Sequence, residues 1–208
     1  MRQKQLVNTL LIIVYITGIA GLGFDQTRTY IATLTPLILL SGTIAIFYLH
    51  RPFTLAFLLF AIIIVITALA VEIAGVKTGK IFGHYSYRGT LGTEIFGTPL
   101  IMGVLWLQIV YSAIIIINSI TTNYFIKCLT GAAILTIFDF ILEPAARLMD
   151  WWQWEFNRVP VQNYGAWFAL SFFFIMIFDE HAKNTANTPA ITLIGLQVLF
   201  FLAINIMV

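Results

Sequence analysis

Residues 53–74 read FTLAFLLFAIIIVITALAVEIA, a run in which Glu72 is the only charge. As a helix it rises about 1.5 Å per residue, and about 20 such residues cross the hydrocarbon of a bilayer. With that segment read as a membrane span, the windows 6–23, 30–49, 97–118, 124–146, 164–180 and 189–207 follow, since each is a long apolar run. The chain is therefore expected to fold as an all-α, polytopic integral membrane bundle of about seven transmembrane helices, with six as the alternative count and 1–208 forming one transmembrane domain. The sixth window is the short one, expected to tilt little or to sit partly buried among its neighbours. Arg2 and Lys4 ahead of an apolar run resemble a signal peptide, with Gly21 and Gly23 near a cleavage point. The run is longer than a usual signal core, so a retained first helix is the expectation.

Composition points the same way. Of 208 residues, 60% are hydrophobic and 10% charged, against roughly 25% charged in an average soluble domain. Water cannot be the main solvent for so many long apolar runs. Net charge is +2 and no basic stripe interleaves with aromatics, which excludes nucleic acid as a partner. The single cysteine, Cys128, lies in an apolar run without an activating neighbour and reads as packing.

Most connections between windows are short: Arg51-Pro52, Thr121 to Asn123 and Asn184 to Pro189 carry ordinary turn chemistry. Two are different. Segment 75–96 is rich in Gly, Tyr and charge, and segment 147–163 holds three Trp with Asp150, Glu155, Asn157 and Asn163. They follow the third and fifth spans, so both emerge on one membrane face and are expected to form one site. Arg2, Lys4, Arg51, Lys127 and Lys183 lie on the face of the N-terminus. Arg28, Lys77, Lys80, Arg88, Arg147 and Arg158 lie on the other. With the charges so balanced, the usual dominance of the first helix puts the N-terminus in the cytoplasm and the chain in the cell membrane.

Asp139 and Glu143 stand four apart in the fifth window and share a helix face, which Arg147 continues one turn on. Carboxylates at that depth are costly and mark function by default; the plainer alternative is a charge ladder that closes the bundle. Glu72 ends the third window at about the same level as Glu143, where a snorkelling or salt-bridged acid is the plainer reading. Apolar walls and mutual repulsion disfavour full ionisation of three acids on one level. The segment Phe82-Gly83-His84-Tyr85-Ser86-Tyr87 sets phenols and an imidazole beside them, and Trp151, Trp152 and Trp154 approach from the second segment. Singly, each aromatic is ordinary interfacial belt. Clustered in two segments, they suit an apolar ligand or a developing cation. No zinc spacing and no phosphate-binding glycine loop is present, so neither a metal nor a cofactor is expected.

In order along the chain stand Val71-Glu72-x-x-Gly75-Val76-Lys77-Thr78-Gly79, Phe82-Gly83-x-Tyr85-x-Tyr87, Leu91-Gly92, Gly97-Thr98-Pro99-Leu100, Asp139-x-x-x-Glu143-Pro144, Trp152-x-Trp154 and Val159-Pro160-x-x-Asn163-Tyr164-x-Ala166-Trp167. Together they resemble the membrane carotenoid biosynthesis protein family, that of the CruF-type carotenoid 1',2'-hydratases and bisanhydrobacterioruberin hydratase; Thr98 departs from the valine more usual there. The resemblance implies hydration of the terminal C1'=C2' double bond of an acyclic carotenoid end group, of lycopene, gamma-carotene or bisanhydrobacterioruberin type, to a tertiary alcohol. It also implies membrane lipid as surroundings and other carotenoid biosynthesis enzymes as neighbours.

Such a reaction needs an acid, cation-tolerant walls and a placed water. Asp139 or Glu143 is expected to donate the proton, with Glu72 positioning or deprotonating the water. Tyr85, Tyr87, Trp152 and Trp154 are expected to face the cation, Asn163 to orient the water, and Trp167 and His84 to complete the substrate site. The rival readings are a carotenoid end-group cyclase, an intramembrane prenyltransferase using magnesium at Asp139 and Glu143, and a non-enzymatic carotenoid-binding or transport protein.

Overall fold

A computed structural model describes residues 2–22, 24–182 and 186–207; Gly23, Lys183, Asn184 and Thr185 of the sequence reading lie outside them. Among the described residues there are seven helices: α1 (Arg2–Leu22), α2 (Asp25–Tyr48), α3 (Leu55–Thr78), α4 (Ile101–Ile117), α5 (Tyr124–Leu148), α6 (Val161–Ala182) and α7 (Thr188–Met207). Their ends follow local chemistry. The Thr54 hydroxyl accepts from the Phe57 amide at 3.1 Å to open α3, and Asn123 Oδ1 accepts from the Ile126 amide at 3.0 Å to open α5. Gly79 closes α3 in the left-handed conformation, φ 63°, its N–H donating to the Gly75 carbonyl.

Six of the helices are long and apolar enough to cross a membrane. The exception is α4, with 17 residues, about 25 Å of rise. Sequence reading gave the sixth window as the short one; α6 in fact has 22 residues, because Val161 with polar Gln162 and Asn163 at its start, and residues 181–182 at its end, extend a helix that hydropathy alone truncates. The short, enclosed helix is α4. Every residue in it but Val104 and Ile116 is buried, and it packs on α2, α3, α5, α6 and α7. Protein surrounds it on all sides, so it need not match the bilayer thickness. Around it, α5 lies along α6, and α1 along α7. Outward faces of α1, α2 and α3 expose mainly leucine and isoleucine, as lipid requires.

The two long connections are ordered. Strand β1 (Tyr85–Tyr87) pairs antiparallel with β4 (Trp152–Trp154), and β2 (Glu94–Ile95) with β3 (Thr98–Pro99). The β1–β4 ribbon ties the exit of α3 to the exit of α5, so these two helix ends share one face. Two traverses, α4 and α5, separate them along the chain. Only with α4 crossing can they meet, and seven crossings follow.

Candidate active site

Period two along a strand puts alternate side chains on one face. In β1 that face carries Tyr85 and Tyr87, with Ser86 exposed on the other; in β4 it carries buried Trp152 and Trp154. Register sets Tyr85 opposite Trp154 and Tyr87 opposite Trp152, with ring centroids 5.0 Å and 6.0 Å apart, a distance at which cross-strand aromatics attract. One ribbon face thus presents two phenols and two indole N–H groups to the bundle.

Those four donors divide between two buried carboxylates. The Tyr85 and Tyr87 hydroxyls donate to Glu72 Oε2 at 2.6 and 2.9 Å, and Trp106 Nε1, from α4, donates to Glu72 Oε1 at 3.0 Å. Trp152 and Trp154 donate through Nε1 to Glu143 Oε2 at 3.2 and 2.7 Å. Asp139, one turn before Glu143 and fully buried, accepts on Oδ2 from Asn163 Nδ2 at 2.6 Å, while its Oδ1 is buried without a hydrogen-bond partner among the described residues. Burial, with the charge of Glu72 next, pushes the Tyr85 and Tyr87 phenols well above their ordinary range, so both keep their protons and serve as donors.

Glu72, Asp139 and Glu143 line one narrow void of about 20 Å³, walled also by Tyr85, Tyr87, Trp152, Trp154, Asn163, Trp167, Phe82 and Met102. A space of that size holds about one water. The structure gathers Glu72, Asp139, Glu143, Tyr85, Tyr87, Trp152, Trp154, Asn163 and Trp167 there. His84 is not among them: it is exposed and its ring covers Gly79. Arg147 does not extend a ladder from Glu143; its Nη1 donates to the Asn157 carbonyl at 3.1 Å. Trp106, tilted 31° against Trp167 at 4.2 Å between centroids, was missed in sequence because an apolar window hides a single indole; Phe82 and Met102 carry no polar signal at all.

Helices that span a membrane and enclose three hydrogen-bonded carboxyl groups at one face define a multi-pass membrane protein with a polar pocket at helix depth. The chain belongs to the carotenoid biosynthesis protein family, whose profile matches residues 34–208 and so includes every residue lining the void. Over 117 residues it is 26% identical to the bisanhydrobacterioruberin hydratase of Haloarcula japonica, a match covering 52% of this chain and 40% of that protein. The chain thus matches less than half the length of that relative. No solved structure matches it.

Proposed function

We propose that the protein hydrates the terminal double bond of an acyclic carotenoid end group by acid catalysis, without a cofactor. The observation that carries this reading is the unpartnered Asp139 Oδ1 in a void with room for one water. A carboxylic acid has one hydrogen to give, and an oxygen with no protein partner is where that hydrogen points at substrate. Asp139 protonates the less substituted alkene carbon, forming a C–H bond and leaving a tertiary cation. Water attacks the cation and gives up a proton to Glu143, whose Oε2 is held by two indoles and whose Oε1 carries no such pair of donors. Return of that proton one helical turn along α5 to Asp139 resets the site. The sum is substrate plus water, at unchanged oxidation level, so the reaction itself calls for no redox partner.

Glu72 takes a different role from the one its position alone suggests. Three donors saturate it, the pattern an ionised, acceptor-only carboxylate prefers. It acts as the fixed counter-charge to the cation, and the aromatic walls add about 0.5–2 kcal/mol for each ring whose face meets positive charge. The name of the Haloarcula relative supports a hydratase at family level.

A cyclase would begin with the same protonation, but its cation must stay dry; a water-sized void lined by carboxyl groups favours hydration. A magnesium-dependent prenyltransferase fits less well, since among the described residues no three His, Cys, Asp or Glu side chains are grouped as a metal site. Expression in a lycopene-producing host decides. A pigment heavier by one water supports hydration, an isomer of unchanged mass means cyclisation, and a larger gain lost on chelation means prenyl transfer.

A further inference from the structure

Beside the acid void lies a second cavity, of about 50 Å³, between α1, α2, α4, α5 and α7. Met102 and Trp152 line both, so the two cavities are direct neighbours across these side chains. Its walls are almost wholly apolar, and Gly18 leaves it room on the α1 side, where a Cβ would stand 3.3 Å from the Phe200 ring. Of the side chains there that carry polar atoms, two stand out. Gln197 is 1% exposed and Trp151 4%, both line the cavity, and Gln197 Oε1, Gln197 Nε2 and Trp151 Nε1 all lack a hydrogen-bond partner among the described residues. The Tyr15 hydroxyl lies beside the amide without meeting the geometry of a bond to it.

Buried polar groups are paired in nearly all native structures, and an orphan needs a reason. Three in one apolar cavity share one explanation: a ligand oxygen. An amide offers a donor and an acceptor, and an indole a second donor. A hydroxyl answers all three, a ketone would leave Gln197 Oε1 unpaired, and a pure hydrocarbon would leave every one unpaired. We infer that Gln197 and Trp151 form a binding site for a hydroxyl on a long apolar polyene, set back from the double bond that reaches the acid void. That the ligand is a polyene rests on the proposed function; that the cavity reads a hydroxyl does not.

The test uses the full chain, purified in detergent and titrated by quenching of tryptophan fluorescence. The probes are two acyclic polyenes of equal length, one a hydrocarbon and one with a tertiary hydroxyl near its end. Wild type should bind the hydroxylated probe about tenfold more tightly, the worth of a net hydrogen bond. In Gln197→Leu, and separately in Trp151→Phe, which keeps an aromatic ring against Trp152 and Phe201, the ratio should fall to about one. Because each variant is judged by a ratio, a general loss of folded protein does not imitate the effect. Equal binding of both probes by wild type, or a preference that survives both substitutions, would overturn the site and leave the orphans to bound water. Retained preference in a protein that hydrates neither probe would sink the hydratase reading while leaving this one standing.

Discussion

At the scale of single residues, the three acids differ by what holds them. Asp139 has one donor and one empty oxygen, Glu143 two donors on one oxygen, and Glu72 three donors on both. Asp139→Asn keeps the shape and lets the new amide oxygen still accept from Asn163, but removes the proton. It should insert and melt like wild type while product formation falls by about 10²–10⁴-fold; full activity in that variant would end the assignment. Glu72→Gln should behave otherwise. It leaves two phenols and an indole competing for one neutral oxygen, so melting temperature and activity should fall together, at a cost of about 1–3 kcal/mol. Comparing thermal unfolding with turnover separates the two roles.

A second residue-scale prediction lies at the opposite face, where polar groups also gather although the sequence directs attention only to the two long segments. His50 stacks on Phe57 at 3.7 Å between centroids, and its Nδ1 stands 3.0 Å from the Tyr111 hydroxyl. That hydroxyl accepts from Asn187 Nδ2 at 2.9 Å, which leaves its own hydrogen available to an unprotonated Nδ1. Burial is the main cause that lowers His50 to about 4, from an ordinary value near 6.5. A base whose folded value is depressed contributes stability that is present above its unfolded value and is lost as pH falls towards the folded one. Unfolding temperature should therefore drop between pH 6.5 and about 4, and the drop should be smaller in His50→Phe. Equal acid sensitivity in both proteins would assign the effect to other groups.

At the scale of elements, the helices were legible because lipid demands long apolar runs, and a run is a strong signal. The ribbon was not. Tyr85-Ser86-Tyr87 and Trp152-Gln153-Trp154 both alternate aromatic, polar, aromatic, the period of a strand, but three residues fall below the length at which alternation decides anything. Their pairing joins positions far apart in sequence, which no local pattern records. Nine of the expected site residues line one void, and they drew attention in sequence for a simpler reason: buried acids and clustered aromatics are expensive in a membrane and so conspicuous. The tenth, His84, has the right chemistry but sits on the outer side of the turn.

Gly83 makes the ribbon testable. Its φ is +105°, and a Cβ there would stand 2.5 Å from Pro160 Cγ. Gly83→Ala should thus incur backbone strain of about 1–3 kcal/mol and a clash besides, moving β1 and the phenols it aims at Glu72. Gly89 is the control: φ is +79°, yet nothing lies within 4 Å of its would-be Cβ. We expect Gly83→Ala to lose activity and thermal stability, and Gly89→Ala to lose only a part of the stability, read by turnover and melting in the same membranes.

At the scale of the whole molecule, the site exists only if α4 crosses the bilayer. Composition leaves this open, since α4 is shorter than the other helices and six spans satisfy the hydropathy. Pairing closes it, because β1 follows α3 and β4 follows α5: were α4 to turn back within one leaflet, the two strands would emerge on opposite faces and neither Glu72 nor Glu143 would receive its donors. Exposed positions on three connections separate these topologies, namely Arg88 before α4, Ser119 between α4 and α5, and Glu155 after β4. In a Cys128→Ala background, single cysteines placed there and probed in sealed vesicles with a membrane-impermeant thiol reagent should label Arg88→Cys and Glu155→Cys from one side and Ser119→Cys from the other. Labelling of positions 88 and 119 from the same side, with 155 opposite, would mean a six-span protein whose ribbon cannot form, and the three-acid site would fall with it.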